Sequence, residues 1–244
     1  MPEFLPVRSW WTPKAGHTAS EYEDAFAHHQ HRYAIADGAS ESSFAGLWAQ
    51  LLVEQFVQQV PDLSESVGWA KWLPGVQSAW NQQAGGANLP WYAQEKLQDG
   101  AYAAFLGLEV GPVLRGKRQW QAIAVGDCCV LQWRKGTLIQ RFPLTSAAAF
   151  DNRPVLIRSR GPAPNEGPTG WRVTGQRAEP GDVLVLATDA LAHWFLAQAD
   201  AGAKPWTLLA PVLAGADFAG WVQQQRQTGQ LRNDDTTLLV LAVD

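Results

Sequence analysis

YEDAFAHHQHRYAIADG, residues 22–38, is the stretch on which the fold turns. Two short apolar-rich runs, Tyr22 to Ala27 and Arg32 to Ala36, flank the polar His28-His29-Gln30-His31, which is the pattern of a β-hairpin. Acidic residues stand at its outer ends, Glu23-Asp24 where the first run starts and Asp37 where the second stops. The three histidines at the tip lack an accompanying thiol or a separated second ligand pair, so they read as solvated loop residues rather than a zinc site.

Beyond the hairpin the period changes. From Ser42, the residues Phe44, Leu47, Trp48, Leu51, Leu52, Phe56 and Val60 recur at helical spacing and stop before Pro61, predicting a long amphipathic helix. A second helical stretch, from about Ser64 to Gln83, is expected to bend or break at Pro74. After the turn-rich segment Gly85 to Pro90, strands are predicted over Ala101 to Val110, Gln119 to Trp133 with an interruption at Gly126-Asp127, and Thr137 to Phe142. Residues 143–181 are rich in Pro, Gly and Arg and read as an irregular flap. A buried strand, Val183 to Ala187, leads through Thr188-Asp189 into a helix over Ala190 to Ala199. A helix over Ala216 to Gln227 and a strand over Thr236 to Val243 close the chain. Strands and helices without regular alternation place the protein in the α+β class.

The chain has 244 residues, 46% of them hydrophobic and 17% charged, which suits one soluble domain with a substantial core. Thirteen tryptophans without a fixed period are read as packing residues. A net charge of −4 supplies no broad basic face for a nucleic-acid backbone. Cys128 and Cys129, the only cysteines, are sequence neighbours that a strand would point to opposite faces, so no disulfide is expected. With no long apolar run and no leader-like start, the sequence reads as cytoplasmic, without membrane or nucleic-acid partners and with its oligomeric state open.

Carboxylates collect at strand ends: Glu23-Asp24, Asp37, Asp127, Asp189 and Asp234-Asp235. A lone Asp there is usually a turn former or helix cap, but five sites repeating the pattern suggest a shared cleft. Converging carboxylates repel, and hard divalent cations with all-oxygen ligands, magnesium or manganese, relieve that repulsion.

Glu23-Asp24-Ala25, Ile35-Ala36-Asp37-Gly38, Asp99-Gly100-Ala101-Tyr102-Ala103, Val125-Gly126-Asp127, Ala187-Thr188-Asp189 and Asp234-Asp235-Thr236-Thr237 are in order and spacing similar to the motifs of bacterial type 2C metal-dependent serine/threonine protein phosphatases. The resemblance spans about Gly16 to Val243. It implies a single domain over 1–244, with the flap around 143–181, built as a four-layer sandwich of two antiparallel sheets flanked by helices. It further implies two Mn2+ or Mg2+ ions and a phosphorylated protein as substrate. Asp37 would bridge the ions, Glu23 and the Gly38 carbonyl would serve one, Asp189 and Asp234 the other, and Asp24 would orient the attacking water. A nucleophilic side chain is then unnecessary.

Four departures accompany the resemblance. Ala19 replaces the arginine that grips the substrate phosphate in family members, leaving His17, Arg158 and Arg160 as stand-ins. Ala39 follows Asp37-Gly38 where other members carry histidine or methionine, which excludes a general acid there. Ala190 replaces a glycine, and His193 takes the place of an acidic residue one helical turn after Asp189. Asp127, Asp189 and His193 would then form an altered site for a third ion. The alternative readings are a catalytically weak, metal-binding regulator and a phosphatase of a small phosphoester.

Overall fold

The stretch 22–38 folds as the predicted hairpin, with Asp24 paired across from Asp37 and Gln30 at the tip in the left-handed region, φ 55°. It belongs to a computed structural model that describes residues 5–59, 66–85, 97–151, 153–161 and 172–244. In chain order the strands are β1 (Val7–Thr12), β2 (Asp24–His29), β3 (Arg32–Gly38), β4 (Tyr102–Leu114), β5 (Lys117–Val125), β6 (Cys129–Arg134), β7 (Thr137–Phe142), β8 (Ile157–Arg158), β9 (Arg172–Ala178), β10 (Asp182–Ala187) and β11 (Thr236–Ala242). The helices are α1 (Ala45–Gln58), α2 (Ser66–Gly85), α3 (Asp189–Asp200), α4 (Pro205–Leu213) and α5 (Phe218–Gln227).

Two antiparallel sheets result. One has the order β1-β11-β10-β6-β7, the other β2-β3-β4-β5-β9, with β8 added against β4. The alternation of β3 explains the layering: Tyr33 and Ile35 join the core between the sheets, while Ala34 and Ala36 meet α1 and α2 outside. Trp48 and Phe56 of α1 and Trp69, Trp72 and Trp80 of α2 fill that outer layer, and Trp48 Nε1 donates to the Ile157 carbonyl at 3.0 Å. On the far side α3, α4 and α5 cover Leu131, Trp133 and Val185 through Trp194, Phe195, Leu209 and Val222. Helix, sheet, sheet, helix is therefore the order of the layers, and the architecture is α+β. The cysteines split as a strand requires, Cys128 into the inter-sheet core and Cys129 onto the helical side, both free.

Several sequence expectations change. The strand expected over Gln119 to Trp133 is two strands in different sheets, because at Gly126-Asp127 the chain crosses between them. Gly126 makes that turn at φ +91°, where a Cβ would stand 2.6 Å from Ala104 Cβ. The flap is not wholly irregular: β9 pairs with β5 from Arg118 to Ala124 and forms the outer strand of its sheet. Its sequence, RVTGQRA, has too little apolar alternation to announce itself. Helix α2 passes through Pro74 without breaking. Strand β1 and helix α4 were not anticipated, although Pro205 at the start of α4 is a recognised first-turn signal. The expected starts and turns at residues 60–65 and 86–90 lie outside the described residues. No described helix is long and apolar enough to cross a membrane.

Candidate metal centre

At one end of the sandwich β2 and β11 begin while β3, β5 and β10 end, so the acidic residues at those five termini meet although they are far apart in sequence. Asp37, Gly38, Asp127, Asp189 and Asp234 line one cleft of about 750 Å³, together with Ala39, Arg153 and Arg232. Glu23 lies next door. It lines a neighbouring groove, and its backbone carbonyl accepts from the Gly38 amide at 3.2 Å.

Asp24 is buried beside the cleft and firmly held. Its Oδ2 accepts from Thr188 Oγ1 at 2.9 Å and Thr237 Oγ1 at 2.6 Å, and Thr188 Oγ1 in turn accepts from the Thr237 amide at 3.0 Å. Each hydroxyl has one proton and spends it on Asp24, so Tyr22, whose hydroxyl also bonds Thr237 Oγ1, must be the donor in that pair. Thr188 occupies the N-cap of α3, yet its side chain caps nothing. Diverting a good capping residue to a carboxylate 164 positions away in sequence favours site geometry over helix stability. Thr237→Val is accordingly expected to cost about 1 to 3 kcal/mol in urea denaturation, by leaving Asp24 one donor short, whereas Thr237→Ser should match wild type.

Asp235 bolts the site together. Its two oxygens accept from the amides of Lys14 and Glu23 at 2.8 and 2.7 Å, and so tie the start of β11 to the segment before β2. Arg226 of α5 adds a second tie, donating to the carbonyls of Pro13 and Asp234 and to Thr236 Oγ1.

Electrostatics shows what the crowding does. Burial, then the charges of Asp24, Asp189, Asp127 and Asp234, pushes Asp37 well above the usual carboxylate range. Burial also raises Asp127 to about 6, and burial with the charges of Asp127 and Asp234 raises Asp189 to about 7. Asp24 is raised as well, chiefly by burial, despite its two hydroxyl donors. Two buried carboxylate oxygens, Asp24 Oδ1 and Asp189 Oδ1, have no hydrogen-bond partner.

The carboxylates do not form a closed cage: no group of three or more His, Cys, Asp or Glu residues among the described residues is arranged to hold an ion. Their chemistry nonetheless fits hard divalent cations, because the cleft offers oxygen donors, unpartnered buried oxygens and mutual repulsion for a cation to relieve. His193 fits less well. Its ring meets Phe150 edge-on at 5.3 Å and does not line the cleft.

The stand-ins for the missing arginine are engaged elsewhere. Arg160 Nε bonds Asn81 at 2.9 Å, Arg158 stacks over Tyr102, and His17 pairs with Glu21 at 3.8 Å across the neighbouring groove. The arginines that reach the cleft, Arg153 and Arg232, were missed. The available signal was position, since Arg232 lies two residues before Asp234 at the mouth of β11.

No protein-family model matches this sequence, and no curated protein matches it significantly. Solved structures do match. The serine/threonine phosphatase PstP/Ppp of Mycobacterium tuberculosis superposes with a TM-score of 0.61 at 13% identity, covering 98% of this chain and 99% of that one. The catalytic domain of PstP in complex with two manganese ions gives 0.58 at 14% identity, with the same coverage. PppA, a regulatory component of the type VI secretion system of Pseudomonas aeruginosa, gives 0.55 at 17% identity, covering 100% of this chain and 99% of that one. At such identities the likeness is one of fold.

Proposed function

We propose that this chain, which has the fold of the type 2C metal-dependent serine/threonine phosphatases, is itself a metal-dependent phosphatase acting on phosphoserine and phosphothreonine in proteins. The observation that carries the reading is the convergence of Asp37, Asp127, Asp189 and Asp234 in one cleft, from strand ends spread over most of the sequence.

Two divalent ions, manganese or magnesium, would supply an activated water and positive charge for the phosphoryl oxygens. Asp37 would serve both ions, Asp189 and Asp234 one of them, and the Gly38 carbonyl and Glu23 the other; Asp37, Gly38, Asp189 and Asp234 share the cleft, with Glu23 in the groove beside it. Two threonine hydroxyls hold Asp24 Oδ2, and the unpartnered Oδ1 would be the acceptor for the attacking water. Such an acceptor would orient the water toward phosphorus with little reorganisation during the reaction. Ala39 provides no proton for the leaving alkoxide, so solvent must do so. Retention of the whole carboxylate set favours turnover over a purely regulatory role.

Hydrolysis of a generic aryl phosphate and of a phosphothreonine peptide, each with and without manganese, tests the proposal. Phosphate release should require the ion and stop on chelation. A protein that binds manganese at saturation yet releases no phosphate from either substrate would reduce the site to a binding module.

A further inference from the structure

A cation already stands beside Asp189 in the cleft that Asp127 also lines. Arg232 lines the cleft with these residues, its Nη1 4.0 Å from Asp189 Oδ2 and its side chain 43% exposed. Among the described residues the guanidinium makes no hydrogen bond and no other ion pair, so its charge is directed at the cleft rather than consumed by a structural contact.

We infer that the Arg232 guanidinium is the resident cation of the Asp127–Asp189 corner, standing where a third metal ion would bind, so that the protein loads two ions and not three. This rests on the two-ion reading of the site. The three residues that could form a third site are Asp127, Asp189 and His193, and all three lie within the field of this one arginine. Arg232, Asp127 and Asp189 line the same cleft, and the guanidinium stands 4.0 Å from Asp189 Oδ2. His193 also departs in geometry, since its ring packs edge-on against Phe150.

A guanidinium is suited to such a role. It does not deprotonate in proteins, so its positive charge stays in place across the working pH range. Repulsion between a divalent ion and a fixed positive charge a few ångströms away acts well inside a Debye length. The same charge offsets part of the mutual repulsion of Asp127 and Asp189.

The test is bound-metal stoichiometry, followed by calorimetric titration with Mn2+ alone and by metal analysis after desalting, on wild type, Arg232→Lys and Arg232→Gln. Arg232 is a partly exposed side chain outside the helices and strands, and circular dichroism verifies that each variant is folded. Wild type and Arg232→Lys should bind two ions. Arg232→Gln should bind a third, more weakly, and Asp127→Asn in that background should remove it. Three ions in wild type, or only two in Arg232→Gln, would overturn the inference while leaving the phosphatase reading intact. Fewer than two ions in wild type would overturn the two-ion reading and this inference with it.

Discussion

Asp37→Asn is expected to lower metal-dependent kcat/KM by at least about a thousand-fold, equivalent to about 4 kcal/mol of lost transition-state stabilisation, while making the metal-free protein more stable. Both effects come from one charge. In the metal-bound protein the Asp37 carboxylate would be the donor to both proposed ions, and an amide is a poor replacement. In the metal-free protein burial and the charges of Asp24, Asp189, Asp127 and Asp234 all oppose ionisation of the same carboxylate. Removing it should raise stability by about 1 to 2 kcal/mol at pH 8, or about 2 to 8 °C in Tm for a chain of this size. The sign is fixed by the direction of the shifts. A carboxyl group whose folded pKa lies above its ordinary 3.8 contributes stability that is fully present below that value, and loses it as pH rises through the folded pKa. For Asp127 and Asp189 that loss runs through about 6 and about 7. Metal-free wild type should therefore melt lower at pH 8 than at pH 5, and the advantage of Asp37→Asn should vanish near pH 4. Thermal melts in excess chelator measure both. A variant no more stable than wild type at pH 8 would mean the cleft is too wet for its charges to interact.

The parts of the structure legible in the sequence are those governed by local period. Strand β3 reads as an unbroken apolar run because one face meets the opposing sheet and the other meets α1 and α2. Helix α1 has its apolar stripe because only one side is buried. The acidic strand ends were legible through repetition, since no single Asp distinguishes itself from a turn residue. What was not legible depends on tertiary placement. Strand β9 lies at a sheet edge and needs little apolar alternation, and the crossing at Gly126 resembles an interruption within one strand. Arg232 was obscured for a related reason: a loop arginine is usually solvated, and only the folding of β10 against β11 brings this one beside Asp189. The Thr188–Asp24–Thr237 clamp spans three separate segments, and nothing in the local sequence of any one of them announces it.

Gly38→Ala should be the most damaging single-methyl change near the site. The residue is not needed for an unusual backbone angle; it is needed for proximity. Here the end of β3, the backbone before β2 and the first turn of α1 meet. A Cβ at this point would lie 2.7 Å from the Glu23 carbonyl oxygen and 2.8 Å from both the carbonyl carbon and the oxygen of Ala45. All three are backbone atoms, so no side chain can rotate away and one of the segments must shift. Overpacking of this kind costs about 1 to 3 kcal/mol, and the upper part of that range applies because helix α1 carries the buried Trp48, Leu52 and Phe56 with it. The displacement falls on the peptide next to Asp37 and on the Gly38 amide, which donates to the Glu23 carbonyl at 3.2 Å. Positioning errors of about 1 Å can cost about a hundredfold in rate, so kcat should fall by at least that factor. The discriminating comparison is Gly107→Ala. A Cβ there would lie 2.4 Å from the Phe56 ring, farther from the cleft, so stability should drop while kcat of the folded fraction holds. Denaturation midpoints and kcat for the two variants, measured well below the transition, separate the effects. If Gly38→Ala lost stability but retained wild-type turnover, the junction would be needed for packing alone, and the spacing between Glu23 and Asp37 would not govern the chemistry.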